Sequence, residues 1–144
     1  MRRAIRRLAA LLDRLRADRG GVTAIELALL SPAVFVLLFA LLDFGRLGIL
    51  MATLDYAAQE GAQYASLHGA ASGAPVSDAE VTARARSKIY GADPAEVAIS
   101  VTWTPGRDPG SSVTVATAYE FGFLVNLFDL PTIRLGGAST MTVY

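Results

Sequence analysis

Sixteen consecutive residues, Leu27–Leu42 (LALLSPAVFVLLFALL), carry no charge. Adding Val22–Glu26 gives 21 residues, about 31 Å of helix at about 1.5 Å per residue, which matches a hydrocarbon core of about 30 Å. A helix apolar all round needs more cover than a chain of 144 residues can supply. The pattern predicts a membrane span over 22–43. Pro32 interrupts it, which removes one helix hydrogen bond and predicts a kink, and Ser31 is placed to bond the freed carbonyl. A cleaved signal peptide has a shorter apolar stretch followed by a small-residue cut site, and DFGRLGILM after Leu42 offers none.

Beyond the span the period stays helical over 44–67. Leu47, Leu50, Leu54, Ala57, Gly61 and Tyr64 form one stripe, flanked by Ala58, Ala62 and Ala65. Small residues permit close helix approach, so the stripe either covers the chain's own sheet or packs on a partner. His68 beside Gly69 ends the helix, and GAASGAPV over 69–76 reads as a loop. Ser77-Asp78-Ala79-Glu80 matches a capping box, which starts a short helix with Val81, Ala85 and Ile89 on its apolar face. Arg84, Arg86 and Lys88 read as its solvated face and Gly91 as its stop.

The period then changes to two. Val97, Ile99, Val101 and Trp103 share one face of a strand over 96–103, and Val113, Val115, Thr117 and Tyr119 share one face of a strand over 111–119. TPGRDPG between them makes an antiparallel hairpin. EFGFLVNLFDL, residues 120–130, is either a short helix or a partly exposed apolar patch. Residues 132–144 read as a last strand with a bulge at Gly136-Gly137. The expected fold class is α+β: a long N-terminal transmembrane helix packed on a small antiparallel sheet of about three strands, with one or two short helices. The expected organisation is a basic cytoplasmic leader (1–21), the transmembrane helix (22–43), its exported continuation (44–68) and a small exported α+β domain (69–144).

Charge adds direction. The formal net charge is zero, yet residues 1–21 hold seven arginines and two acids, while 22–144 hold six bases and eleven acids. A basic head before an apolar run is a membrane address rather than a nucleic-acid footprint, and it keeps the N-terminus cytoplasmic. Mean hydropathy is +0.41. With no cysteine and one histidine, disulfides, thiolate chemistry and Cys- or His-rich metal sites are excluded. The acids from Asp78 to Asp129 are scattered, and no phosphate-loop or dinucleotide glycine pattern occurs. Neither a catalytic constellation nor a cofactor site is expected.

Glu26 stands out because an ionised carboxylate inside a membrane helix is costly, so it either snorkels to the headgroups or serves a function. The stretch Arg19-Gly20-Gly21-Val22-Thr23-Ala24-Ile25-Glu26 resembles the type IV prepilin processing site: a basic leader ending in glycine, then a glutamate opening an apolar helix. In such proteins a membrane aspartyl peptidase cuts after the glycine and the glutamate becomes mature residue five. The resemblance implies cleavage between Gly21 and Val22. The freed Val22 ammonium is then one helical turn from Glu26, and the two charges can pair within one chain or between adjacent chains.

Three runs narrow the resemblance: RGGVTAIELALLSP, LLDFGRL and AAQEGAQYA. Over Arg19–Ser66 they resemble the TadE-like family of the tight-adherence pilus system, whose motif falls here on Asp43, Phe44, Gly45, Arg46, Glu60 and Gly61. The tail LGGASTMTVY resembles the family's closing strand. Leu27 stands where the family often has an aromatic residue, and Gln59 and Gln63 where arginines are common. The resemblance implies a processed pseudopilin of the bacterial inner membrane. It would be structural rather than catalytic, with the lipid bilayer, a prepilin peptidase, other pilin-like subunits and pilus assembly proteins as partners. The rival reading is a single-pass anchored exported binding module of the cell envelope, which needs neither Gly21 nor Glu26.

Overall fold

The computed structural model describes residues 20–125 and 129–144, with side chains from Thr23 onward. Residues 1–19, most of the expected leader, and 126–128, within the apolar stretch, lie outside the described residues. Helix α1 runs Gly20–Leu67, as the helical period predicts. The chain divides into two compact units, Met1–Ala40 and Leu41–Tyr144.

In the first unit α1 leaves its apolar side chains exposed, among them Ile25, Leu27, Leu30, Phe35 and Leu38. By length and composition it is a candidate membrane span. Helical assignment continues through Pro32. Proline at 32 removes the donor that would have bonded the carbonyl of Ala28. The Ser31 hydroxyl donates to that same carbonyl at 3.0 Å, so the orphaned acceptor is satisfied locally.

In the second unit α1 is followed by α2 (Asp78–Arg86), β1 (Ala98–Thr104), β2 (Ser112–Phe121) and β3 (Ile133–Thr142). The strands form an antiparallel sheet in the order β1-β2-β3. The arrangement is α+β. A sheet of this size is stable only when one face is covered, and α1 covers it. One core cluster joins Ala62, Ala65, Val81, Ala85, Val113, Val115 and Val143. The other joins Leu50, Leu54, Ala57, Ile89, Val97, Phe121 and Leu135. The helical stripe thus covers the chain's own sheet, and Ala58, Ala62 and Ala65 are fully buried rather than open to a partner.

The predicted capping box forms. Ser77 Oγ accepts from the Glu80 N–H at 3.3 Å, and Glu80 Oε2 accepts from the Ser77 N–H at 2.8 Å. The Ser77 N–H, and beside it the Ser77 hydroxyl at 2.7 Å, donate to Glu80 Oε2, which favours the ionised form and holds the Glu80 carboxyl below its ordinary value. The helix ends earlier than Gly91, with Ser87 as C-cap. The reason is local: Ser87 Oγ donates to the Arg84 carbonyl at 2.7 Å, a side-chain alternative to the helical ladder. Gly91, at φ +81°, instead turns the chain beyond the helix.

The bulge expected at Gly136-Gly137 is absent. Register is continuous through Thr117↔Gly137 and Ala118↔Gly136. The glycine at 137 answers a different need. A Cβ there would lie 2.7 Å from Asp55 Cα of α1, so only hydrogen lets the helix backbone reach the strand. Thr117 seals the approach, its buried hydroxyl lying 3.2 Å from the Leu54 carbonyl and 3.1 Å from the Gly137 N–H.

Gly137→Ala is expected to lower stability by about 1–3 kcal/mol, the usual cost of overpacking. Denaturant unfolding in detergent micelles, followed by Trp103 fluorescence, measures it. Gly45→Ala, whose Cβ meets nothing within 4 Å, is the control. It should be neutral, or stabilise the exposed helix by up to about 1 kcal/mol.

Candidate functional site

The residues singled out in the sequence fall into two groups. Gly21, Val22, Glu26 and Pro32 belong to the first unit. The Gly21–Val22 bond lies in the first turn of α1. Glu26 is exposed among exposed apolar neighbours, and among the described residues no cation pairs with it.

Asp43, Phe44, Gly45, Arg46, Glu60 and Gly61 belong to the second unit, on α1. Asp43 is nearly buried. One of its oxygens accepts from Arg46 Nη1 at 2.6 Å. Both accept from the backbone N–H of Leu124, at 3.0 and 3.2 Å. The i, i+3 spacing puts Asp43 and Arg46 on one helix face. The Arg46 guanidinium sits 5.1 Å from the Phe121 ring centroid, and Phe121 meets Phe123 edge-on at 5.6 Å. The acid thus serves two donors at once: it orients the cation over the end of β2 and holds the chain that leaves β2. Charged acceptors make the stronger hydrogen bonds.

Glu60 and Gly61 act one element away. Glu60 Oε2 lies 3.1 Å from Arg84 and 3.8 Å from Lys88. Arg84 and Lys88 are therefore not simply a solvated face, because they tie α2 to α1. A Cβ at Gly61 would sit 3.1 Å from Ala85 Cβ and 3.2 Å from Val115 Cγ1, so Gly61 is where helix, helix and strand meet. Phe44 is 75% exposed and a Cβ at Gly45 would meet open space, so these two motif positions have no packing task within the described residues.

A family model described as TadE-like protein matches residues 21–63. Over these residues the chain is similar to TadE-like proteins. Comparison with curated proteins and with solved structures finds no match. The TadE-like segment begins at Gly21, includes Glu26, Pro32 and all six motif positions from Asp43 to Gly61, and ends inside α1. It contains no part of the sheet, yet Asp43 holds the chain just after β2, Glu60 pairs with Arg84 of α2, and Gly61 lies against both α2 and β2.

Sequence reasoning missed a cluster outside that segment. Trp103 Nε1 donates to Asp78 Oδ1 at 2.8 Å, Arg107 donates to the same oxygen at 2.7 Å, and the guanidinium lies 4.7 Å from the Trp103 ring centroid. Trp103 reads as core in the alternating pattern, but it is half-buried and ties the β1–β2 loop to the start of α2. A tryptophan beside an Arg-containing turn was the available signal. Among the described residues no group of three or more His, Cys, Asp or Glu side chains is placed to hold a metal ion.

Asp43→Ala is expected to free the Leu124 amide and speed its hydrogen exchange roughly tenfold, which corresponds to about 1.4 kcal/mol, within the usual cost of losing a charged acceptor. The amides of Val113 and Val115 should keep their protection, because their strand bonds do not depend on Asp43.

Proposed function

We propose that the chain is a pilin-like (pseudopilin) membrane subunit that takes part in assembly of a tight-adherence type IV pilus, with a structural and non-catalytic task. The observation that carries this reading is the TadE-like match beginning at Gly21, with Glu26 five places after the glycine. In this reading the basic leader stays cytoplasmic and a prepilin peptidase removes residues 1–21. The helix then remains in the inner membrane with residues from about 45 onward exported. The Val22 ammonium and the Glu26 carboxylate offset each other's cost in lipid. Pairing between chains would also set subunit register, which gives the acid an assembly function beyond neutralisation.

Phe44 and Gly45 support the same reading from the exported side. Both are TadE-like positions, both are exposed, and the second unit folds without using either. Positions of that kind are available to neighbouring subunits.

Mass spectrometry of the membrane-purified chain should find Val22 at the N-terminus. Replacing Gly21 with a bulky residue should leave Met1 in place. A parent chain that keeps Met1 in cells containing the peptidase would favour the anchored binding module instead. Glu26→Gln is expected to permit insertion and leader removal, because a neutral amide is less costly than a carboxylate in lipid. Co-purification of partner subunits should fall about tenfold or more, as expected when one member of a buried ion pair is removed. Undiminished assembly of the Gln variant would show that the acid only snorkels.

A further inference from the structure

One face of the sheet is buried beneath α1 through Val113, Val115, Thr117 and Leu135. Strand alternation turns Ala98, Ala118 and Gly136, and next to them Ser100, Ala116 and Ala138, to the opposite face. A water-facing surface normally has a charge at about one position in four. These paired positions have none, and no side chain larger than serine. A cleft of about 380 Å³ opens over the sheet here, with Arg134 in its lining. Arg46, Arg84, Lys88 and Arg107 are each paired with an acid, but Arg134 has no acid partner among the described residues. Its register partner Glu120 accepts from the Thr132 hydroxyl at 3.3 Å instead.

Within the second unit, α1 presents a matching surface. Gly48, Ala52, Asp55, Tyr56, Gln59 and Gln63 are exposed and recur at three- and four-residue spacing, one stripe along the helix. Asp55 is its only charge, and among the described residues no cation pairs with it. Asp55 Oδ1 lies where a side chain at Gly137 would begin, which keeps the carboxylate beside β3. Charged residues are depleted at the centre of protein interfaces. Each of these two surfaces has one unpaired charge, and the signs are opposite. Asp55 is on the side of the sheet that α1 covers and Arg134 on the other, so the sheet stands between them within one chain.

We propose that the outward sheet face is a docking site for α1 of a second copy of this chain, with Asp55 of that copy paired to Arg134 in the cleft. The guanidinium fork matches a carboxylate in a two-bond pair, which fixes register as well as charge. The inner face shows the mode of packing: there α1 reaches β3 because Gly137 has no side chain. Gly136 and Ala118 leave a similarly open floor on the other face. The contact joins two different surfaces, so a copy that donates its helix keeps an open sheet, and copies add head to tail. This names a partner for the subunit reading above and rests on that reading for the role of the contact.

The chain has no cysteine, so introduced thiols report one contact. Two differently tagged full-length copies are co-expressed, one with Gln59→Cys and the other with Ala118→Cys, and the membranes are treated with a short bis-maleimide. A product carrying both tags is expected, and none when Ala70→Cys in the exposed loop replaces Ala118→Cys. Asp55→Lys or Arg134→Glu, placed in both copies, should lower the yield at least about tenfold, because like charges then face one another. The two reversals together should restore most of it. Ala116→Gln, which fills the cleft without touching Asp55, should lower the yield as the single reversals do. Absence of the product, an undiminished yield in the single variants, or no recovery in the combination each overturns the proposal. A link from position 118 to a different protein alone assigns the face to another partner and overturns the second-copy assignment. Circular dichroism matching the parent shows that each variant is folded. Mass spectrometry of the N-terminus in the same membranes separates this contact from the reading it rests on. Val22 without the product overturns the contact alone, whereas Met1 with the product overturns the subunit reading and leaves the contact.

Discussion

Helix α1 and strand β3 approach until position 137 has room only for hydrogen, with the Asp55 backbone of the helix where a side chain would stand. The rest of the second unit is organised around this approach. The helix lies low enough on the sheet for Ala57, Ala62 and Ala65 to be buried, and alanine is the side chain that such spacing permits. Thr117 can reach a helix carbonyl only because the helix is that close. The same spacing brings Gly61 between Ala85 and Val115, so α2 packs against the pair rather than over it. A small sheet lacks the area for a large core, and a close, alanine-lined contact obtains dense packing without bulky side chains.

Much of this was legible in the sequence. His68 beside Gly69 marks where α1 ends, the capping box marks the first turn of α2, and the change of hydrophobic period from helical to alternating marks where the strands begin. What periodicity could not show was the purpose of individual small residues. Gly136-Gly137 reads as a bulge because glycine weakens a strand, and a contact to a helix some eighty residues earlier leaves no local trace. The end of α2 was misplaced for a similar reason: a serine bonding back to a carbonyl outranked the more obvious glycine. Arg84 and Lys88 read as solvated because their acid, Glu60, lies on another element. In each case a long-range partner or a side-chain bond decided the outcome, and neither appears in a window of neighbouring residues.

The TadE-like motif divides along the same line. Asp43, Arg46, Glu60 and Gly61 have tasks inside the folded unit: an acid that clamps the chain leaving β2, a cation over Phe121, an acid that collects α2, and a glycine at a three-way contact. Such residues are needed whether or not the protein assembles with anything. Gly21, Val22, Glu26, Phe44 and Gly45 are of another kind. Nothing in the described fold requires Phe44 or Gly45, and Glu26 is an exposed acid on an apolar helix. Folding therefore accounts for four of these nine positions and leaves five with no task in the described fold.

That residue of unexplained positions is the strongest physical argument for assembly over simple anchoring. An anchor needs length and hydropathy, and neither calls for an acid inside the span. A glutamate one turn into that helix raises the cost of insertion and returns nothing to a lone chain. It becomes favourable when a positive charge is delivered to the same depth, and peptide-bond cleavage at Gly21 would create one there on every subunit. Since every copy would carry both charges, pairing between copies satisfies each subunit's acid with its neighbour's ammonium and fixes the axial offset between them. Pairing between copies would favour a defined assembly, because the charge is then neutralised only in register, whereas pairing within one chain would only offset the cost of insertion.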